Sequence, residues 1–183
     1  MTRIRIHPTV ILLIAFPLLN LLTWQQTGIL WLCAALHEVG HIAAYRLCGT
    51  TMELIEILPF GICAIPKDPL RISPGNEVFC AAAGPMINLL ISVLMLALPF
   101  AAENETVRYL LYCNGALFVI NSLPILPLDG GRILYYALAG TLDAERCETV
   151  CRRCATILLS QMLFPVCATL FADKNPSLAM IWG

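Results

Sequence analysis

The stretch Ala34-Ala35-Leu36-His37-Glu38-Val39-Gly40-His41-Ile42-Ala43-Ala44 decides the fold and the chemistry of this chain. It holds two of the three histidines, spaced His-Glu-x-x-His, inside an otherwise apolar run. Residues four apart on a helix share a face, so His37 and His41 can aim both imidazoles at one ion with Glu38 beside it. This pattern is typical of zinc proteases, in which the metal lowers the pKa of a bound water and the glutamate accepts its proton. A third ligand must come from elsewhere.

The alternative is a helix with two hydrogen-bonded core histidines. Ionisable groups inside an apolar span are costly and normally functional, which favours the metal site. Hydrophobic residues make up 59% of the 183-residue chain and charged residues 13%, against roughly 25% charged residues in soluble domains. With a mean hydropathy of +0.80, the chain is predicted to be an integral membrane protein.

The predicted fold is an all-α polytopic membrane protein with about five transmembrane helices and a small β-hairpin at the membrane surface. Length and composition indicate one integral-membrane domain over residues 1–183, with a core at about 28–140. The partial alternation in Met52-Glu53-Leu54-Ile55-Glu56-Ile57 and the turn residues that follow it indicate the hairpin. The predicted spans are residues 9–22, 28–48, 78–100, 109–123 and 155–171.

Asp129 is the predicted third ligand. It lies in a proline-broken segment, Asn121-Ser122-Leu123-Pro124-Ile125-Leu126-Pro127-Leu128-Asp129-Gly130-Gly131. Irregular backbone at membrane depth is tolerated where it lines a cavity or is buried in protein. Asp129 is also the only carboxylate between Glu105 and Asp143. A helix N-cap is the alternative role for Asp129, and the two roles are compatible.

The third predicted span begins with the small residues Ala81-Ala82-Ala83-Gly84 and then has Pro85 and Asn88. Small residues let two helices approach closely in lipid. Asn88 therefore either belongs to plain helix packing or orients the metal site.

Cys147, Cys151 and Cys154 are spaced as in some iron–sulfur sites, but they can equally line one helix face as reduced thiols. We interpret them as structural thiols. The net charge of −1 argues against nucleic-acid binding.

The charge distribution predicts a cytosolic N-terminus. If every predicted span crosses the bilayer, nine of the eleven Lys and Arg residues fall on the side of Met1 and only Arg108 and Lys174 on the other. The same assignment brings the His41 end of the second span and the Asp129 end of the fourth to one side.

Together, His37-Glu38-x-x-His41 and Asn121-x-x-Pro124-x-x-Pro127-Leu128-Asp129-Gly130-Gly131 resemble the site-2 protease family of intramembrane zinc metalloproteases. His7-Pro8 and Leu58-Pro59-Phe60-Gly61 are similar to the stage IV sporulation protein FB branch of that family. The resemblance implies zinc held by His37, His41 and Asp129, Glu38 as catalytic base, Asn121 near the substrate or oxyanion, and a hairpin that helps present the substrate.

The branch also implies a sporulation sigma-factor precursor as substrate, membrane regulators as partners, and a bacterial inner or sporulation membrane as location. Its members usually continue into a cytosolic nucleotide-sensing domain. This sequence stops at Gly183, so no C-terminal regulatory domain is expected.

Two other functions remain open from the sequence. One is a membrane metal-binding scaffold, or inactive homologue, that does not cut. The other is a soluble zinc protease whose third ligand is Glu53 or Glu56. Glu38 distinguishes the non-cutting scaffold from the expected endopeptidase, because metal binding alone needs no base between the histidines.

Overall fold

The computed structural model describes residues 3–11, 15, 17–19, 21–58, 61–67, 72–99 and 103–174, and within them the chain is mainly helical. The described residues include three strands, β1 (Arg3–Ile6), β2 (Met52–Leu58) and β3 (Gly61–Pro66), and a short 3-10 helix at Pro8–Ile11. The five longer helices are α1 (Trp24–Leu47), α2 (Pro74–Leu96), α3 (Glu105–Ser122), α4 (Asp129–Leu138) and α5 (Ala144–Lys174).

Helix α1 begins and ends with clear signals in the sequence. The Thr23 hydroxyl accepts a hydrogen bond from the Gln26 backbone N–H, and the Gln26 side chain accepts one from the Thr23 N–H, forming a capping box. Beyond the C-cap residue Cys48, Gly49 has a φ of 79°, which glycine adopts without a Cβ clash. These two boundaries enclose the complete His-Glu-x-x-His motif in one helix.

Helices α1 and α2 run antiparallel and lie very close together. A Cβ placed on Gly40 would be 2.7 Å from the Ala83 carbonyl oxygen. Such a short distance shows that the backbone of α2 occupies the space that a side chain at position 40 would need. The small residues expected to allow close packing therefore do so, and Pro85 lies within an α2 helix that continues to Leu96.

The predicted hairpin is present as β2 and β3, which pair antiparallel. A third strand that the sequence analysis did not predict, β1, pairs parallel to β2 with Arg3 opposite Leu54. The strand order β1-β2-β3 leaves β3 at one edge of the sheet. Strand β3 packs against α1, which carries the two histidines.

The rest of the chain differs in detail from the predicted spans. The first predicted span, residues 9–22, falls partly outside the described residues, so the count of five spans stays a prediction. The charged segment before the fifth apolar run and the run itself belong to one helix, α5. Residues 123–128 form the expected irregular break between α3 and α4.

Among the described helices, α1 and α2 are long and apolar enough to cross a membrane. Both also present large apolar side chains on their outer surfaces, including Val39 on α1 and Leu90 on α2, each more than half exposed. Contiguous exposed apolar surface of this kind is typical of contact with lipid or with another protein.

Candidate metal centre

The two histidines of α1 are buried and face α2. His37 is 6% exposed and His41 is 4% exposed. The Nδ1 of His41 lies 2.7 Å from the backbone carbonyl oxygen of Cys80, which can only accept, so this nitrogen carries the proton and donates it. The His41 Nε2 is therefore left with a free lone pair.

His37 is oriented by a buried amide network. Its Nδ1 lies 2.6 Å from the Oδ1 of Asn88, and the Asn88 Nδ2 donates to the Asn114 Oδ1 at 2.8 Å. Asn114 in turn donates to the carbonyl of Leu110. Since Asn88 uses its amide nitrogen as a donor, its oxygen accepts from His37 Nδ1, and the His37 Nε2 also keeps its lone pair. This contact supports the metal-orienting alternative for Asn88 over plain packing.

Asp129 completes the group. Its Oδ2 lies 3.0 Å from His37 Nε2 and 3.3 Å from His41 Nε2, and the two Nε2 atoms are 3.1 Å apart. Three lone-pair atoms at these distances repel one another unless a cation or a shared proton lies between them. Within the described part of the chain these residues form the one group of three side chains with metal-ligand spacing.

The donor set and spacing fit zinc. Neutral imidazole nitrogen and carboxylate oxygen are common zinc ligands, at about 2.0–2.2 Å from the ion. Ligands at that radius in a tetrahedron are separated by about 3.3 Å, close to the three distances found here. A catalytic zinc site uses three protein ligands and leaves the fourth position open for water or substrate.

The structure also bears on the alternatives for the third ligand. Asp129 is the first residue of α4 rather than its cap, because the N-cap residue is Leu128 and makes no side-chain capping bond. Glu56 lies in β2 and pairs with Arg5 of β1 at 3.7 Å. The helix break at residues 123–128 leads directly into α4, and Asp129 at its start, not Glu56, lies at the histidines.

A cavity of about 310 Å³ opens on the three candidate ligands. Glu38 and Asn121 both line it, and so does Ala64 of β3. The amide nitrogen of Asn121 donates to the Leu117 carbonyl of its own helix at 3.0 Å. The cavity therefore brings together the expected base, the expected oxyanion residue and the sheet.

Three polar residues next to the site were not identified from the sequence. Tyr45, Glu77 and Arg132 form a hydrogen-bonded cluster beside Asp129. Two of them had a usable signal, since Tyr45 follows His41 by four residues on the same helix face and Arg132 follows Asp129 by three. Glu77 had none, because nothing local indicates which helix its side chain meets.

The cysteine trio of α5 makes packing contacts. Cys147 and Cys151 are essentially fully buried, and Cys154 is half-buried. The Cys151 Sγ lies 3.9 Å from the Gly131 carbonyl oxygen, and the Cys147 Sγ lies 3.8 Å from the Leu142 carbonyl oxygen. These positions agree with the interpretation as structural thiols.

Gly84→Ala is expected to weaken zinc binding by about 100-fold, which is as much as the loss of an outer-shell hydrogen-bond partner can cost. A Cβ at this position would lie against His41 Nε2 and 2.8 Å from His37 Nε2, so both candidate ligand atoms would have to move. Competition with a chelator of known affinity, in detergent, measures the change.

Gly115→Ala is the matched control, because a Cβ there meets nothing within 4 Å. It should bind zinc like the unaltered chain. Equal affinity of the Gly84→Ala variant would contradict the close approach of α2 to the two imidazoles.

Comparison with known proteins agrees with this geometry. The family model "Peptidase family M50" matches residues 27–104. The solved structure of the site-2 protease from Methanocaldococcus jannaschii superposes with a TM-score of 0.65 at 25% identity, covering 97% of this chain and 84% of that one.

Curated relatives were also found, and two of them show the following coverage. Stage IV sporulation protein FB of Bacillus subtilis is 28% identical over 148 residues, 79% of this chain and 50% of that protein. Zinc metalloprotease MJ0392 of Methanocaldococcus jannaschii is 31% identical over 121 residues, 63% of this chain and 35% of that protein. The chain thus spans half the length or less of these two relatives.

The fold and the site define a helical protein with a buried His-His-Asp centre of the zinc-metalloprotease type. Residues 27–104 match peptidase family M50, and the chain has the fold of the site-2 protease from Methanocaldococcus jannaschii. The matched segment of the family model ends before Asp129, so the placement of that residue rests on the geometry of the centre.

Proposed function

We propose that this chain is an intramembrane zinc endopeptidase. The observation that carries the proposal is the convergence of His37 Nε2, His41 Nε2 and Asp129 Oδ2 on one point between apolar helices, with Glu38 on the same cavity. A non-catalytic metal scaffold would need the three ligands but not the glutamate.

His37, His41 and Asp129 would hold the ion. Bound zinc would supply Lewis-acid polarisation of the scissile carbonyl and a lowered pKa for the attacking water. Glu38 accepts the proton of that water and passes it to the departing amine, so that the peptide bond is replaced by a free carboxyl group and a free amine. The Asn121 amide, at the same cavity, binds the substrate backbone or the developing oxyanion.

The substrate is a membrane-embedded or membrane-associated protein, cut near the cytosolic side. Apolar helices surround the centre, so an apolar segment can reach it from lipid, whereas a peptide bond inside an intact helix is shielded by its own hydrogen bonds. Strand β3, at the sheet edge with Ala64 on the cavity, can pair with an unwound substrate backbone. The relative from Bacillus subtilis is a sporulation protein, which supports testing the sporulation sigma-factor precursor that the resemblance implies as a substrate.

We further propose a multi-pass protein with a cytosolic N-terminus, a single domain with its core at about 28–140, and membrane regulators as additional partners. The uneven distribution of Lys and Arg supports this orientation. Labelling of single cysteines introduced at exposed positions, from either side of sealed vesicles, would test it.

Incubation of the purified chain with single-span and sigma-precursor substrates tests the protease function. Cleavage should stop when zinc is removed by a chelator and return when Zn²⁺ is restored. The same chelator presaturated with zinc is the control and should leave cleavage intact. A zinc-loaded chain that cuts none of these substrates, in detergent or in vesicles, would contradict the protease function and leave the scaffold.

A further inference from the structure

Behind Asp129 lies a polar cluster contributed by three helices, in which Tyr45 and Glu77 are buried and the Arg132 side chain is 30% exposed. The Arg132 guanidinium donates from Nη1 to Asp129 Oδ1 at 3.4 Å and from Nη2 to the Tyr45 hydroxyl oxygen at 2.6 Å and Glu77 Oε2 at 3.3 Å. Tyr45 donates to the same Glu77 oxygen at 3.1 Å. Tyr45 is 2% exposed and Glu77 is 3% exposed.

The two oxygens of Asp129 therefore have different partners. Oδ2 faces the imidazoles, while Oδ1 accepts from Arg132. Rotation about the terminal torsion of a carboxylate is broad, so a donor on one oxygen is needed to keep the other aimed at a fixed point. A planar guanidinium is suited to this task because it can hold several acceptors in fixed directions at once.

The charges of the cluster are also matched to a metal site. An arginine beside a divalent cation would repel it if its charge were uncompensated. Glu77 compensates the charge at 3.3 Å, so Asp129 gains an orienting donor while the Arg132–Glu77 pair stays neutral overall. Tyr45 and Glu77 together hold Nη2, which fixes the guanidinium from the side away from Asp129.

We propose that Arg132, held in place by Glu77 and Tyr45, is a positioning residue that orients Asp129 toward the two histidines. It acts through the carboxylate, so its contribution appears in metal affinity before any substrate is present. This inference rests on the proposed metal site but not on proteolysis.

Arg132→Lys tests the inference because it keeps the positive charge and removes the planar guanidinium with its several N–H donors. Zinc affinity, measured by chelator competition, should fall by about 10- to 100-fold, the usual cost of losing an outer-shell partner. Arg146→Lys is the matched control, since Arg146 is an exposed arginine that pairs with Asp143, also three residues away. It should bind zinc like the unaltered chain, and an unchanged affinity of Arg132→Lys overturns the inference.

Cobalt substitution separates orientation from general loosening of the fold. The visible absorption of bound Co²⁺ depends on ligand geometry, so its bands should change in Arg132→Lys and stay unchanged in Arg146→Lys. Identical spectra for both variants and the unaltered chain would overturn the inference, because Asp129 would then be held correctly without Arg132.

Tyr45→Phe tests the support of Arg132 without changing any charge. Loss of one hydrogen bond to Nη2 should weaken zinc binding about threefold to tenfold. In the Arg132→Lys background, Tyr45→Phe should cause no further loss of zinc affinity. If the losses caused by the two substitutions multiply in the double variant, the role of Tyr45 is overturned. If the unaltered chain bound no zinc, the proposed function would fail first; if it binds zinc and Arg132→Lys binds equally well, only this inference fails.

Discussion

Glu38→Gln should lower the cleavage rate by about 100- to 10,000-fold, the contribution of a general base, while zinc stays bound. Glutamine has nearly the same shape and fills the same part of the cavity, but its amide cannot accept the proton of the attacking water. The three ligands are untouched because Glu38 lies on the cavity beside them. Substrate cleavage and zinc content, measured on the same preparation, check both halves of this expectation.

The control for Glu38→Gln is Glu148→Gln. Glu148 is an exposed glutamate of α5 that pairs with Arg152 at 3.8 Å and does not line the cavity of the candidate ligands. Its variant should cleave at the rate of the unaltered chain. Full activity in the Glu38→Gln variant would remove the proposed mechanism, whereas loss of zinc along with activity would mean that this glutamate supports the metal rather than the proton transfer.

Asp129→Ala should weaken zinc binding by about 100- to 1,000-fold, which corresponds to about one quarter of the 10–16 kcal/mol that zinc binding contributes in four-ligand structural sites. The variant leaves two imidazoles facing each other at 3.1 Å without the carboxylate that completes the group. Cleavage should fall in parallel, and added zinc should restore part of it. Chelator competition and a zinc titration of activity measure the two effects.

Glu56→Ala provides the comparison for Asp129→Ala, because Glu56 is one of the two carboxylates, with Glu53, that a soluble-protease interpretation would use. It pairs with Arg5 in the sheet, so its loss should leave zinc affinity unchanged. The opposite pattern, with zinc lost from Glu56→Ala and retained in Asp129→Ala, would contradict the arrangement described here.

The main features of the site could be predicted because they are local in the sequence or follow from the free-energy cost of placing polar groups in an apolar segment. The spacing of His37 and His41 is a property of one helix. A carboxylate such as Asp129 is costly in a proline-broken apolar segment, so a functional role is expected for it. That reasoning favoured Asp129 as the third ligand, with Glu53 or Glu56 as the alternative, without any knowledge of how the helices pack. The roles of Glu38 and Asn121 in catalysis stay predictions until variants are measured.

Contacts between distant segments were harder to predict. Strand β1 pairs with β2 across about fifty residues, and four residues of alternating sequence at the N-terminus gave no reason to choose that partner. The Tyr45, Glu77 and Arg132 cluster combines three helices, so it depends on packing geometry that periodicity does not contain. The predicted fifth span, residues 155–171, covers only part of helix α5, because the charged first half of that helix differs in composition from its apolar second half.

The two histidines differ in how far mutation can alter their outer hydrogen bonds. His37 depends on the side chain of Asn88, which a single codon change can replace, whereas His41 depends on a main-chain oxygen that every amino acid at position 80 would supply. One imidazole can therefore be tuned through its partner's identity, and the other only by shifting an entire helix. In a directed-evolution experiment on the metal preference of this protein, position 88 is therefore where single substitutions can change the hydrogen bond to a metal ligand.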